Sequence, residues 1–126
     1  MNKMQEKVLK MMAEHGCKYE GETNGDGLKH GNGKILYFDG TVYDGQWENG
    51  MRNGQGTEIK RDGYVYQGHW QNDIKQGEGQ LTFPNKDVVK TTWEDGRMHG
   101  SGTIALSNGR SIRVNYYKGL EIRANE

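Results

Sequence analysis

Across 126 residues, 17 Lys plus Arg balance 17 Asp plus Glu, and this counts against a nucleic-acid binder, which needs a net basic surface for counterion release. An apolar fraction of 32% with a mean hydropathy of -1.04 lies near the disordered class, yet 10% aromatics and 20 glycines against a single proline point to a thin, ordered, glycine-punctuated β structure. The length leaves room for one domain and no catalytic domain beside it.

In chain order, residues 1–16 are predicted to form a short N-terminal α-helix. Met1, Met4, Val8, Met11 and His15 recur at helical a/d spacing and Met12 widens the stripe. Asn2 followed by Gln5 resembles a capping box, and Gly16 suits a helix stop. Two roles are expected for this helix. It caps the first repeat, or it docks on a partner through Met4, Val8, Met11 and Met12, since methionine surfaces adapt to grooves. No apolar run of signal-peptide type opens the chain, and no stretch approaches the roughly 20 apolar residues of a membrane span. The lone Cys17 cannot form an internal disulfide, so nothing requires an oxidising compartment and an intracellular, cytoplasmic setting is expected.

From residue 17 to 119 the chain repeats itself. Trp47, Trp70 and Trp93 are spaced by 23 residues. Around them run YDGQWENGMRNGQG from Tyr43, YQGHWQNDIKQGEG from Tyr66 and VKTTWEDGRMHGSG from Val89. Upstream, YEGETNGDGLKHGNG from Tyr19 carries Thr23 in the Trp position; downstream, IRVNYYKG from Ile112 is a truncated unit with Tyr116 there. That makes four units and a truncated fifth. Tyr43, Gly45 and Trp47 alternate with Asp44, Gln46 and Glu48, the period of a strand with one packed face. Asn49-Gly50 is expected to open a connection ending at Gly54, after which a second strand runs to Arg61. Asp39-Gly40, Asp62-Gly63 and Asn108-Gly109 are expected to be two-residue turns with positive φ at both positions. Gly45, Gly54 and Gly56 leave a bare floor for rings from neighbouring strands, the glycine–aromatic compensation that stabilises sheets. The predicted fold is therefore all-β: tandem antiparallel hairpins in one elongated, twisted sheet of about nine or ten strands, roughly 45 Å long. Residues 120–126 are expected to form a tail or a short strand.

These units resemble the MORN (membrane occupation and recognition nexus) repeat, whose pattern is matched best by Tyr43, Gly45, Trp47, Gly50, Gly54, Gly56 and Asp62-Gly63. Departures are Thr23 for Trp, Asp73 for the loop Gly, Asn85-Lys86 for Asp-Gly, and Val89 with Thr91 for Tyr and Gly. The resemblance implies assembly and scaffolding roles, in cytoskeletal and ciliary structures or at membrane contacts, and no activity of its own.

The chemistry-bearing residues do not converge. His30 and His99 share one slot of the repeat, six strands or about 29 Å apart, too far to share a metal, and read as turn or surface residues. The recurrent GNG, GQG, GEG and GSG open no helix and are not phosphate loops. Neither a catalytic residue, a metal site nor a cofactor is expected. Two binding surfaces remain. The first is the aromatic face, with Tyr43, Trp47, Tyr66, Trp70, Trp93 and Tyr116 as anchors for protein partners in a multi-subunit assembly. The second is a turn edge where Lys29, Arg52, Lys75 and Arg97 recur once per unit and would face an anionic phospholipid surface, although acidic neighbours offset them. A cytoskeletal or ciliary setting follows from the resemblance, and the basic residues Lys3, Lys7 and Lys10 keep a mitochondrial complex open.

Overall fold

A computed structural model describes Lys3 and residues 17–122. Apart from Lys3, the predicted helix over 1–16, with Met4, Val8, Met11 and Met12, lies outside the described residues. The rest is one open antiparallel sheet of consecutive hairpins, with β1 (Lys18–Thr23), β2 (Lys29–Leu36), β3 (Val42–Glu48), β4 (Met51–Ile59), β5 (Val65–Gln71), β6 (Ile74–Thr82), β7 (Val88–Glu94), β8 (Arg97–Met98), β9 (Gly100–Ala105), β10 (Ser111–Tyr117) and β11 (Leu120–Ile122). The strands follow chain order; β8 and β9 both pair with β7, so the eleven strands fill ten positions.

From β2 onward two kinds of turn alternate, and both differ from the sequence expectation. The short turns hold two residues: Asn49-Gly50, Asn72-Asp73, Asp95-Gly96 and Lys118-Gly119 all have positive φ. The second strand of each regular unit therefore starts at once, at Met51 rather than Gly54, and Gly54 (φ 98°) sits inside β4, where the pairing with β3 shifts register. The long turns need positive φ only at their second residue, namely Gly40, Gly63, Lys86 and Gly109. Their first residue works through its side chain instead. Asp39, Asp62, Asn85 and Asn108 each accept the backbone N–H two residues on, at 2.9, 3.4, 2.9 and 3.0 Å. A short carboxylate or amide closes the bend that the backbone alone would leave open. Lys86 occupies a glycine slot with φ 78°, a conformation that costs a side-chain-bearing residue about 1–2 kcal/mol. Lys86→Gly is expected to raise the unfolding free energy by about 1 kcal/mol in urea titrations.

Across the strands, six glycines stand in register: Gly21 opposite Gly33, then Gly45, Gly56, Gly68 and Gly79 in turn. This ladder is the floor on which the tyrosines lie. A Cβ on Gly79 would come within 2.7 Å of the Tyr66 ring, and one on Gly68 within 2.6 Å of the Gly79 Cα. Each ring is pinned at its far end: the Tyr19, Tyr43 and Tyr66 hydroxyls donate to the carbonyls of Glu22, Gln46 and His69, three residues on, at 2.6, 2.7 and 2.8 Å. The ladder ends at Thr91, which pairs with Gly79. Here the fourth unit compensates: Gly102 leaves space for the Thr91 side chain, whose hydroxyl donates to Ser101 O at 3.1 Å.

Among the described residues, the core is one layer deep and lies on the aromatic face. Its main cluster holds Ile35, Tyr43, Trp47, Tyr66, Trp70 and Trp93; a second holds Val89, Val114 and Tyr116, and Met98 packs against both. The opposite face presents Gln46, Gln55, Gln67, His69 and Glu78 to solvent.

Candidate functional site

All six expected aromatic anchors are buried, from Tyr43 at 0% exposure to Tyr116 at 7%. Five of them form a chain of edge-to-face contacts across units: Tyr43 to Trp47 and Trp70 at 4.9 and 5.3 Å, then Tyr66 to Trp70 and Trp93 at 5.3 and 5.0 Å, while Tyr116 packs in the second cluster with Val89 and Val114. That geometry suits the positive ring edge against the negative ring face. Two indoles are also fixed to the glycine ladder, with Trp47 and Trp70 Nε1 donating to Gly33 O and Gly56 O at 3.0 and 3.2 Å. These rings serve packing first.

Burial raises the pKa of the Tyr43 and Tyr66 phenols. Desolvation pushes the Tyr66 phenol up to about 12, with the Glu58 carboxylate adding to the shift, and desolvation likewise raises Tyr43, against the opposing pull of Arg52. A folded pKa above the unfolded value of about 10 means stability is fully present below pH 10 and lost as pH rises through the folded value. The urea midpoint is therefore expected to fall between about pH 10 and pH 12.

The cations expected along the turn edge are placed differently. Strand pairing sets Arg52 opposite Trp47 and Lys75 opposite Trp70, on the aromatic face. The Lys29 ammonium lies 5.4 Å from the Trp47 ring centroid, the Arg52 guanidinium 4.6 Å from that of Trp70 and the Lys75 ammonium 5.0 Å from that of Tyr66. A cation over a ring face is attracted by the ring quadrupole, and its aliphatic stem covers apolar surface. Arg97, the fourth of the set, is exposed and runs its side chain beside the Gly119 turn.

Arg52 and Lys75 share a partner that sequence reading missed. Glu58 is 6% exposed, and its carboxylate oxygens lie 3.5 Å from Arg52 Nη1 and 3.0 Å from Lys75 Nζ. Its position in the repeat is occupied elsewhere by Ile35, Leu81 and Ile104, so a carboxylate stands where the array otherwise places an aliphatic side chain. It pairs with the two most buried tyrosines, Tyr43 on one side and Tyr66 on the other. Asp73 completes the cluster. Taking a left-handed conformation in the slot of a loop glycine, it accepts Arg52 N and Nε at 2.8 and 3.1 Å. Aligning the chain at its own period would have exposed Glu58, because it is the charged residue in an aliphatic column.

Two open depressions flank Glu58. One, of about 410 Å³, includes Tyr37, Phe38, Arg52 and Lys60; the other, of about 350 Å³, includes Lys60, Tyr64, Tyr66 and Leu81. Phe38 and Tyr64 are exposed, at 69% and 36%. The arrangement can receive a partner segment with apolar groups against Phe38 and Tyr64 and polar groups against Lys60 and the Glu58 cluster. Among the described residues, no group of three or more His, Cys, Asp and Glu could hold a metal ion, and no helix is long and apolar enough to cross a membrane.

Compared with known proteins, the chain matches the family model of the MORN repeat at four consecutive segments, residues 26–42, 43–63, 66–88 and 92–109, together more than half of its length. No curated protein matches it.

Proposed function

The chain belongs to the MORN repeat family, whose repeats are protein- or lipid-binding structural modules, and from that premise we propose that it is a non-catalytic scaffold subunit that binds protein partners within a larger assembly. The binding centre is the aromatic face around Glu58, and the family resemblance favours a cytoskeletal or ciliary assembly. One observation carries this reading: a buried carboxylate replaces the aliphatic residue of the column and lies between two open depressions rimmed by Phe38, Lys60 and Tyr64. Buried ion pairs are often no more stabilising than apolar residues of the same volume, so stability alone does not account for Glu58.

The anionic-lipid alternative has less support. Lys29, Arg52 and Lys75 lie over rings, and the latter two are also paired with Glu58 or Asp73. Three of the four cations are thereby drawn away from a flat surface.

Glu58→Leu tests the proposal, because it restores the aliphatic column. Arg52 keeps Asp73, and Lys75 is a quarter exposed and can turn to water, so the loss of stability is expected to stay below the roughly 3–5 kcal/mol of a fully buried pair broken on one side, and the variant to fold. Affinity purification from native cells, with both proteins quantified by mass spectrometry, is expected to lose the specific partners in the variant. Equal recovery by a folded Glu58→Leu protein contradicts a site at Glu58. Flotation of the wild type with anionic vesicles at low salt is expected to show no dependence on anionic lipid; strong dependence favours the lipid reading instead.

A further inference from the structure

Each short turn is stitched twice to the hairpin before it. The first stitch is backbone to backbone: Gly50, Asp73, Gly96 and Gly119 donate their N–H to the carbonyls of Lys29, Arg52, Lys75 and Met98, at 2.8, 3.0, 3.1 and 2.8 Å. The second uses a side chain, always from the same position of the repeat. Asn49 N–H donates to His30 Nδ1 at 3.3 Å, Asn72 N–H to Asn53 Oδ1 at 3.3 Å, Asp95 N–H to Gln76 Oε1 at 2.9 Å and Lys118 N–H to His99 Nδ1 at 3.2 Å. The two outer junctions thus use imidazole, and the two inner ones use amides that do not titrate. An imidazole nitrogen accepts a hydrogen bond only while unprotonated.

We propose that the array carries an acid-sensitive stitch at each end: protonation of His30 and His99 releases the first and last inter-unit turns while the central junctions hold. With a proton on Nδ1, the ring presents an N–H to the N–H of Asn49 or Lys118, and an attraction becomes a repulsion between two donors. The surrounding charges set how each end responds. His30 shares an open depression with Glu48, and Glu22 on β1 holds the backbone N–H of Asn32 two residues along β2. Around His99, the Glu94 carboxylate lies 3.6 Å from Nε2, the Tyr117 ring is 5.5 Å away, and Arg97 and Lys118 are the nearby cations in sequence. Glu94 on Nε2 suits the neutral tautomer with its proton there, which leaves Nδ1 free to accept.

The test is amide hydrogen exchange of the full chain, followed residue by residue by NMR at about pH 7.5 and about pH 5, on either side of the ordinary imidazole range. After correction for intrinsic exchange, protection of the Asn49 and Lys118 amides is expected to fall roughly fivefold relative to that of Asn72 and Asp95, the loss of about one hydrogen bond. In the His30→Asn, His99→Asn double variant, which copies Asn53, the difference is expected to vanish. His30→Gln with His99→Gln, copying Gln76, serves if the first pair does not fold. Unchanged protection at Asn49 and Lys118, an equal fall at all four amides, or a selective fall that persists in the variants overturns the proposal.

Discussion

Gly56→Ala is expected to destabilise the protein by about 3 kcal/mol, against less than about 0.5 kcal/mol for Gly25→Ala. A Cβ on Gly56 would run into the Tyr43 hydroxyl and ring, while one on Gly25 has nothing within 4 Å. Tyr43 cannot give way easily: it is fully buried, held edge-to-face by Trp47 and Trp70, and donates to Gln46 O at 2.7 Å. Overpacking costs about 1–3 kcal/mol and the displaced hydroxyl about 1 kcal/mol more. Gly56 O also accepts the Trp70 indole, so any backbone shift that relieves the clash strains a second contact. Urea unfolding of the two variants beside wild type measures the difference. Similar midpoints for both would show that the glycine ladder does not support the rings.

Trp70→Ala is expected to cost more, about 3–5 kcal/mol, a large share of an ordinary domain's total stability. Trp70 is 2% exposed and joins two units, touching Tyr43 of one and Tyr66 of its own. Its loss leaves a cavity and removes the ring beneath Arg52, at 4.6 Å. Trp70→Phe separates the contributions. It keeps much of the apolar volume but gives up the 3.2 Å bond to Gly56 O, so about 1–2 kcal/mol is expected. A phenylalanine variant as unstable as the alanine one would assign the stability to the indole N–H rather than to burial.

Much of this architecture is legible in the chain because it is written four times. A single YxGxW segment reads only as a strand with an odd glycine, whereas recurrence of Tyr43, Gly45 and Trp47 at Tyr66, Gly68 and Trp70 fixes both face and register. Turn chemistry was less legible. Asn-Gly and Asp-Gly look equivalent as dipeptides, but Asn49 adopts positive φ while Asp62 closes its turn through the carboxylate. The distinction depends on the residues that follow and on the shifted pairing at Gly54, which no dipeptide encodes. The site was the least legible part. Lys29, Arg52 and Lys75 read as a basic edge because charged side chains next to turns usually face water, and only the strand pairing shows that they lie over the rings. Glu58 was hidden by its own chemistry, since one acid among exposed polar residues raises no signal until its column is seen to be aliphatic.

The same inversion of expectation gives the irregular positions their meaning. Asp73 departs from the repeat pattern at a loop glycine, and that departure supplies the carboxylate that holds Arg52 in place. Glu58 departs in the next strand pairing and draws Arg52 and Lys75 together. Both lie in the second and third units, where the sheet is otherwise most regular. A binding array gains specificity where it breaks its own repeat, because a perfectly periodic face offers the same contacts at every step.

The central claim, that partners bind at the aromatic face around Glu58, is tested most directly by hydrogen exchange of the purified native complex against the free chain. New protection is expected to concentrate in the strand ends and long turns around Tyr37, Phe38, Lys60 and Tyr64, which line the two depressions. Protection confined to residues 1–16, or to the strand Leu120–Ile122, with none around Lys60, would contradict it.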